Sequence, residues 1–323
     1  MPLFKNLIAF RIAPEWTPPA LEPLEAEMQR LAFQPCGATQ ELSVGWLPPR
    51  GEEHGAMVES VGGHWIMKLG VERKAVPGGA VRAELEARCK VIEAEQGRKP
   101  GRKEKAELKE EIVHAFLPRA FSKRSSHMLW IDAANRLLLV GAGSTRAAEA
   151  VLKQLGDLMA ELKHVLSVSP LSTATSPSAA MAHWLTSREA PAGFSVDRDL
   201  ELKNAGEEKS VVRYARHTLE LEEIGQHITE GKLPTQLALT WEGKVSFVLT
   251  DMLVLKKIDL LDVDDNLGKD NGFDADAAIA TGEISALLPD LLSALGGEMA
   301  LGTGAAAPAA PAPREDALEE APF

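Results

Sequence analysis

The chain has 323 residues, 45% apolar and 25% charged, with a formal net charge of −12. That is ordinary for a globular protein of two or three modules, and its two cysteines, Cys36 and Cys89, are too few and too far apart for a disulfide framework or a metal knuckle. The negative excess is local: from Ile258 to Phe323 fourteen acids face two bases, while the other 257 residues hold 33 of each, so the total charge neither supports nor excludes a polyanionic partner.

Residues 3–12 read as a half-buried strand with Phe4, Ile8, Phe10 and Ile12 on one face. No signal-peptide pattern precedes it, and no apolar run approaches the roughly 20 residues that span a bilayer. A reduced cytoplasm without a membrane partner is the expectation. Leu21, Leu24, Met28 and Leu31 predict a helix over 20–33. Short strands follow at Val44–Leu47 and His64–Val71. Beyond Pro77-Gly78-Gly79, Val81, Leu85, Cys89 and Ile92 make an apolar stripe on a helix over 80–96, and Leu108, Ile112 and Phe116 mark a second one after the break at 97–101. This pair reads as a projecting helical hairpin whose stripes need the body or a second copy to cover them. From Gly97 to Arg124 the chain carries nine Lys or Arg against four Glu, a candidate footprint for a polyanion. A solvated, charged hairpin explains the same composition.

Residues 127–132 and 136–140 predict two strands turning at Ala134-Asn135, and Ser144 or Thr145 is placed to cap a helix carrying Ala148, Val151, Leu155, Leu158 and Leu162. A loop is expected over 167–178, helices near 179–187 and 197–204, a strand at 211–216 and a helix at 219–230. Strands follow at 237–241, 244–250 and 252–258, with a turn at Glu242-Gly243. Ile284, Leu287, Leu288, Leu291 and Leu295 predict a last helix that Pro289 kinks or shortens, and the Ala/Pro/acid composition after about 300 predicts a disordered tail. The mixture without a βαβ rhythm indicates an α+β fold with mixed, largely antiparallel sheets.

Catalytic motifs are mostly missing. Gly141-Ala142-Gly143 opens a helix after a strand, but Arg146 stands where a dinucleotide fingerprint wants glycine. A loop starting at Asp262 lacks the Gly and Glu of a calcium hand, and Asp259, Asp262 and Asp264 remain as a weak magnesium cluster for nuclease chemistry. The histidines show no ligand spacing, and no cofactor is expected. The remaining bases include Arg213 and Arg216 on one strand, Lys232, Lys244 and Lys256-Lys257. Such residues contact phosphates without reading sequence.

Taken together, Phe4-Lys5-Asn6-Leu7, Phe33-Gln34-Pro35-Cys36-Gly37, Gly45-Trp46-Leu47-Pro48-Pro49, Leu117-Pro118-Arg119-Ala120-Phe121-Ser122, Trp130-Ile131-Asp132, Gly231-Lys232-Leu233 and Phe273-Asp274-Ala275-Asp276 make the chain, over about 1–298, similar to the bacterial recombination-associated RdgC family. The resemblance implies a non-catalytic, nucleoid-associated protein that forms a ring-shaped homodimer. It implies that the ring encircles double-stranded DNA with little sequence preference, leaves single-stranded DNA open as a second ligand, and restrains the RecA recombinase. On that basis 1–75 with 125–205 is a central region, 76–124 a helical tip, 206–300 a base and 301–323 a tail. Arg119, Lys123, Arg124, Arg213, Arg216, Lys232 and Lys244 are then the candidate DNA contacts, with Phe116, Leu117 and Phe121 at the dimer interface. His217 stands where some family members have Gln. A metal-dependent nuclease using acids near 259–276, and a regulator binding RecA through the acidic C-terminal region, are the alternatives.

Overall fold

A computed structural model describes residues 3–204, 206, 210–219, 221–261 and 272–299. Its strands are β1 (Asn6–Ile12), β2 (Leu42–Leu47), β3 (Val58–Val61), β4 (His64–Ala75), β5 (Phe121–Asp132), β6 (Leu137–Val140), β7 (Val168–Pro170), β8 (Phe194–Asn204), β9 (Val211–Tyr214), β10 (Lys232–Trp241), β11 (Val245–Thr250) and β12 (Leu255–Leu260). The described helices are α1 (Leu21–Arg30), α2 (Gly78–Gln96), α3 (Arg102–Phe116), α4 (Thr145–Glu161), α5 (Pro177–Ser187), α6 (Leu221–Thr229) and α7 (Gly272–Ala294). The fold is α+β around one large antiparallel sheet, ordered β2-β4-β5-β6-β1-β12-β11-β10-β8-β9, with β3 beside β4 and β7 beside β1.

Two cores occupy opposite faces of this sheet. Across the register Trp130–Leu139–Ala9 and Leu7–Leu255–Leu249–Leu237–Leu200, side chains point to one face, where α5, α6 and α7 supply Met181, Ile224, Ile284 and Leu287. The alternate residues Ile8, Phe10, Ile12, Leu129, Ile131 and Val140 point to the other face, beneath α1 and α4. The period-two side-chain alternation of a strand makes this possible: one sheet serves two helical layers. Among the described residues, the β8–β12 half is bare of a helical layer on the face that α1 and α4 cover elsewhere, although Ala238, Val248 and Thr250 are buried there. Phe4 joins the core under α5–α7, away from Ile8, Phe10 and Ile12, with which the sequence pattern grouped it.

The local signals explain most elements. The Ser144 hydroxyl accepts the Ala147 N–H at 3.3 Å and starts α4. Glu242 and Gly243 both have positive φ and form the centre of a tight turn, closed by the Lys244 N–H to Trp241 O at 2.8 Å, in the three-residue connection between β10 and β11. The helix expected at 197–204 is instead β8. Leu200 and Leu202 enter the core while Glu201 and Lys203 face away, a period-two pattern that fixes a strand. The loop expected at 167–178 contains the short β7 and the start of α5, which Ser176 caps. The strand expected at 252–258 begins only at Leu255.

Helix α7 continues through Pro289 and is long and apolar enough, by length and composition, to cross a membrane. It puts Ile284, Leu287, Leu288 and Leu291 into the sheet core. Its first turn is clamped by Arg50, which pairs with Glu59 at 2.7 Å and Asp274 at 2.6 Å and lies 5.0 Å from the Phe273 ring centroid. The acidic run 262–265 and the tail after 300 fall outside the described residues.

Candidate nucleic-acid interface

Helices α2 and α3 make their main contacts with each other. Gly97, left-handed at φ 65°, ends α2. At the hairpin base, Leu117–Arg119 forms a single 3-10 turn that delivers the chain into β5. Leu117 is buried there, Phe116 is half-buried and Phe121 is 90% exposed. Of the three apolar residues expected at an interface, Phe121 therefore offers the largest free surface. Around the tip, Arg98 pairs with Glu104 at 2.8 Å, Lys99 with Glu93 at 3.8 Å and Lys103 with Glu107 at 3.9 Å.

The seven candidate cations are not brought together in one patch. Arg119 and Lys123 are exposed. Lys123 sits opposite Arg73 on β4, and alternation along β5 puts it and Phe121 on the same face as Leu129 and Ile131. Arg124 points to the other face. Its Nε donates to Glu72 Oε2 at 3.2 Å, and its guanidinium lies 5.7 Å from the Phe33 ring centroid. The Ser122 hydroxyl, the Cys36 N–H and Arg124 together hold the buried Glu72 carboxyl below its ordinary range.

The other four lie in the β8–β12 half. Arg213 of β9 donates through Nε and Nη2 to Glu201 Oε2 of β8, the first at 3.0 Å. Arg216 has φ 53°, and its backbone N–H donates to Asp199 Oδ1 at 2.8 Å. Lys257 Nζ of β12 meets Asp199 Oδ2 at 3.1 Å although β10 and β11 lie between their strands, so this half of the sheet curls. The Arg216 amide, with Lys257, holds the Asp199 carboxyl low. Lys232 is largely buried between His227 Nδ1 at 3.1 Å and Glu230 at 3.2 Å. Lys244, in the β10–β11 turn, stands 5.9 Å from the Trp241 ring centroid.

Sequence reasoning missed Glu201 and Lys203, and it named Lys256 among the bases without placing it among the candidate DNA contacts. Glu201, Lys203 and Arg213 share the bare face with Gln236, Thr250 and Lys256 through the cross-strand register. Lys203 and Lys256 line a cleft of about 220 Å³ between this face and the first turn of α4. Exposed Val211 and Leu233 flank Lys203 on the same face, and Phe121 and Lys123 stand on that face near the other end of the sheet. The period-two pattern of β8 was the available signal for Glu201 and Lys203. Among the described residues no three His, Cys, Asp or Glu side chains are grouped to hold a metal ion.

The architecture defines an α+β protein organised on one antiparallel sheet with a helical hairpin near one end. Residues 2–298 match the family model described as "Putative exonuclease, RdgC". Proteins named recombination-associated protein RdgC are 42% identical to this chain in Dechloromonas aromatica (over 308 residues, 92% of this chain and 98% of the relative) and in Herminiimonas arsenicoxydans (over 303 residues, 92% and 99%). The relative in Janthinobacterium sp. is 42% identical over 302 residues, 92% of this chain and 98% of its own. The chain belongs to the RdgC family of recombination-associated proteins.

Proposed function

We propose that this chain is a non-catalytic DNA-binding protein that closes as a ring-shaped homodimer around duplex DNA and restrains RecA. The observation that carries the reading is the common face of Phe121 and Lys123 near one end of the sheet and of Val211, Leu233, Arg213 and Lys203 near the other. Apolar anchors at both ends suit a subunit that meets its copy twice, a closed arrangement with two-fold symmetry. Between them the cations are balanced by Glu201 and Asp199, so the lining is only mildly positive. A ring stays on DNA by topology and needs no strong contacts. Phosphate contacts from lysine and arginine give little sequence preference and a steep dependence on salt. By this reading the protein acts on the nucleoid and limits RecA access to DNA.

Sedimentation with and without duplex DNA, alongside binding at rising salt, tests this directly. A dimer whose duplex affinity falls steeply with salt and changes little with sequence is expected. A monomer, or affinity indifferent to salt, overturns it. The family description names exonuclease activity. Labelled duplex incubated with magnesium or manganese stays intact if the protein is non-catalytic, and is shortened if the exonuclease reading is right.

A further inference from the structure

Glu201 is a buried carboxylate on the bare face, and its side chain is only 3% exposed. Five donors converge on it. Oε1 accepts from Lys203 Nζ at 2.7 Å, Thr235 Oγ1 at 2.9 Å and Gln236 Nε2 at 3.2 Å, and Oε2 accepts both Arg213 donors. The two cations remain well exposed, Arg213 at 67% and Lys203 at 47% of their side chains. One buried anion therefore grips two cations by the edge and leaves two thirds of one and about half of the other in solvent, the three groups together carrying a local net charge of +1.

Lysine and arginine lose much rotamer freedom when they are fixed, and a binding site that has already lost it spends less on ordering when a ligand arrives. We infer that Glu201 is a positioning residue for polyanion binding: it holds Arg213 and Lys203 side by side on the bare face, at the spacing and direction in which they meet phosphate groups. Gln236 and Thr235 hold the carboxylate in turn. This inference rests on the proposed DNA-binding function and adds a negatively charged residue to the machinery of a site for an anion.

The charge makes the test sharp. Glu201→Gln removes a negative charge, so electrostatics alone tightens DNA binding. If Glu201 positions the two cations, Glu201→Gln weakens duplex affinity by about three- to tenfold in spite of the added positive charge. Glu201→Asp keeps the charge but withdraws the carboxylate by one methylene, and the same direction of change is expected. The double variant Glu201→Gln/Arg213→Ala loses less affinity than the sum of the two single losses, the remainder being the release of Lys203. Affinity is measured by anisotropy of a labelled duplex at several salt concentrations, with circular dichroism on each variant to confirm folding. Wild-type protein that binds duplex, with Glu201→Gln and Glu201→Asp equal to or tighter than wild type, overturns the positioning role alone. Wild-type protein that does not bind duplex overturns the proposed function and this inference with it.

Discussion

Arg124 and Arg213 stand on opposite faces of one continuous sheet, each held by a buried glutamate on a neighbouring strand, Glu72 for the first and Glu201 for the second. Arg124 shares its side of β5 with Trp130, and Arg213 points away from the core that Val212 and Tyr214 pack against. A duplex lying along one face meets only one of them. The bare face carries Lys203, Lys256 and Phe121's side of the hairpin, so Arg213→Ala is expected to weaken duplex binding about three- to tenfold and to reduce the salt slope by about one. Arg124→Ala is expected to leave both within a factor of about two, while costing some stability at Glu72. The salt titration separates the two variants, and equal losses from both would mean that the duplex is not confined to one face.

Acid sensitivity follows from the same glutamates. Burial pushes the Glu201 carboxyl up, but Lys203, Arg213 and Thr235 outweigh it and bring it down to about 2 from an ordinary 4.5. A carboxyl lower in the folded than in the unfolded chain stabilises above its unfolded value, and that contribution is lost as pH falls from about 4.5 towards 2. The network is worth on the order of 1–3 kcal/mol at neutral pH. Urea titrations between neutral pH and pH 3 are expected to show the loss in wild type and a shallower pH dependence in Glu201→Gln.

Two glycines are expected to respond in opposite directions. A Cβ on Gly45 of β2 would meet Phe33 Cα at 2.5 Å and Phe33 N at 2.6 Å, and both are backbone atoms with little room to yield. The segment 31–33 runs beside β2 there, with Phe33 N–H bonded to Trp46 O at 2.8 Å. Gly45→Ala is therefore expected to destabilise by about 2–3 kcal/mol, the cost of forced backbone movement. Gly156 lies inside α4 with nothing within 4 Å of its added Cβ, and Gly156→Ala is expected to stabilise by up to about 1 kcal/mol. Thermal melts of the pair check both signs.

These residues also mark what could be read from sequence. The Ser144 cap and the Glu242-Gly243 turn are local: their partners lie within a few residues, and the elements they set stand where the pattern predicted. Leu200 and Leu202 announce a strand by their spacing, yet the charged residues around them, Asp199, Glu201 and Lys203, resemble an exposed helix face until a partner strand is known. Glu201 has no local signature as a site, because its donors Arg213, Thr235 and Gln236 are 12, 34 and 35 residues away and meet it only across strands. The separation of Arg124 from Arg213 by the thickness of a sheet is likewise a property of topology, which the list of bases in the chain does not contain.

Phe121 tests closure of the ring. It is the most exposed large apolar residue described, at the start of β5 beside the hairpin, and the described residues leave it 90% exposed. A phenylalanine buried in a small interface contributes as a hot spot, about 2 kcal/mol or more, which is roughly thirtyfold in the dissociation constant of that contact. Phe121→Ser removes the anchor without touching the core, so the fold and melting temperature are expected to hold. If Val211 and Leu233 still join the other end, the variant remains dimeric at high concentration but opens near the hairpin. Retention on closed circular duplex after a wash at high salt then falls sharply, while binding to short linear duplex at low salt changes by less than about threefold. Unchanged retention together with an unchanged sedimentation profile would show that Phe121 closes nothing.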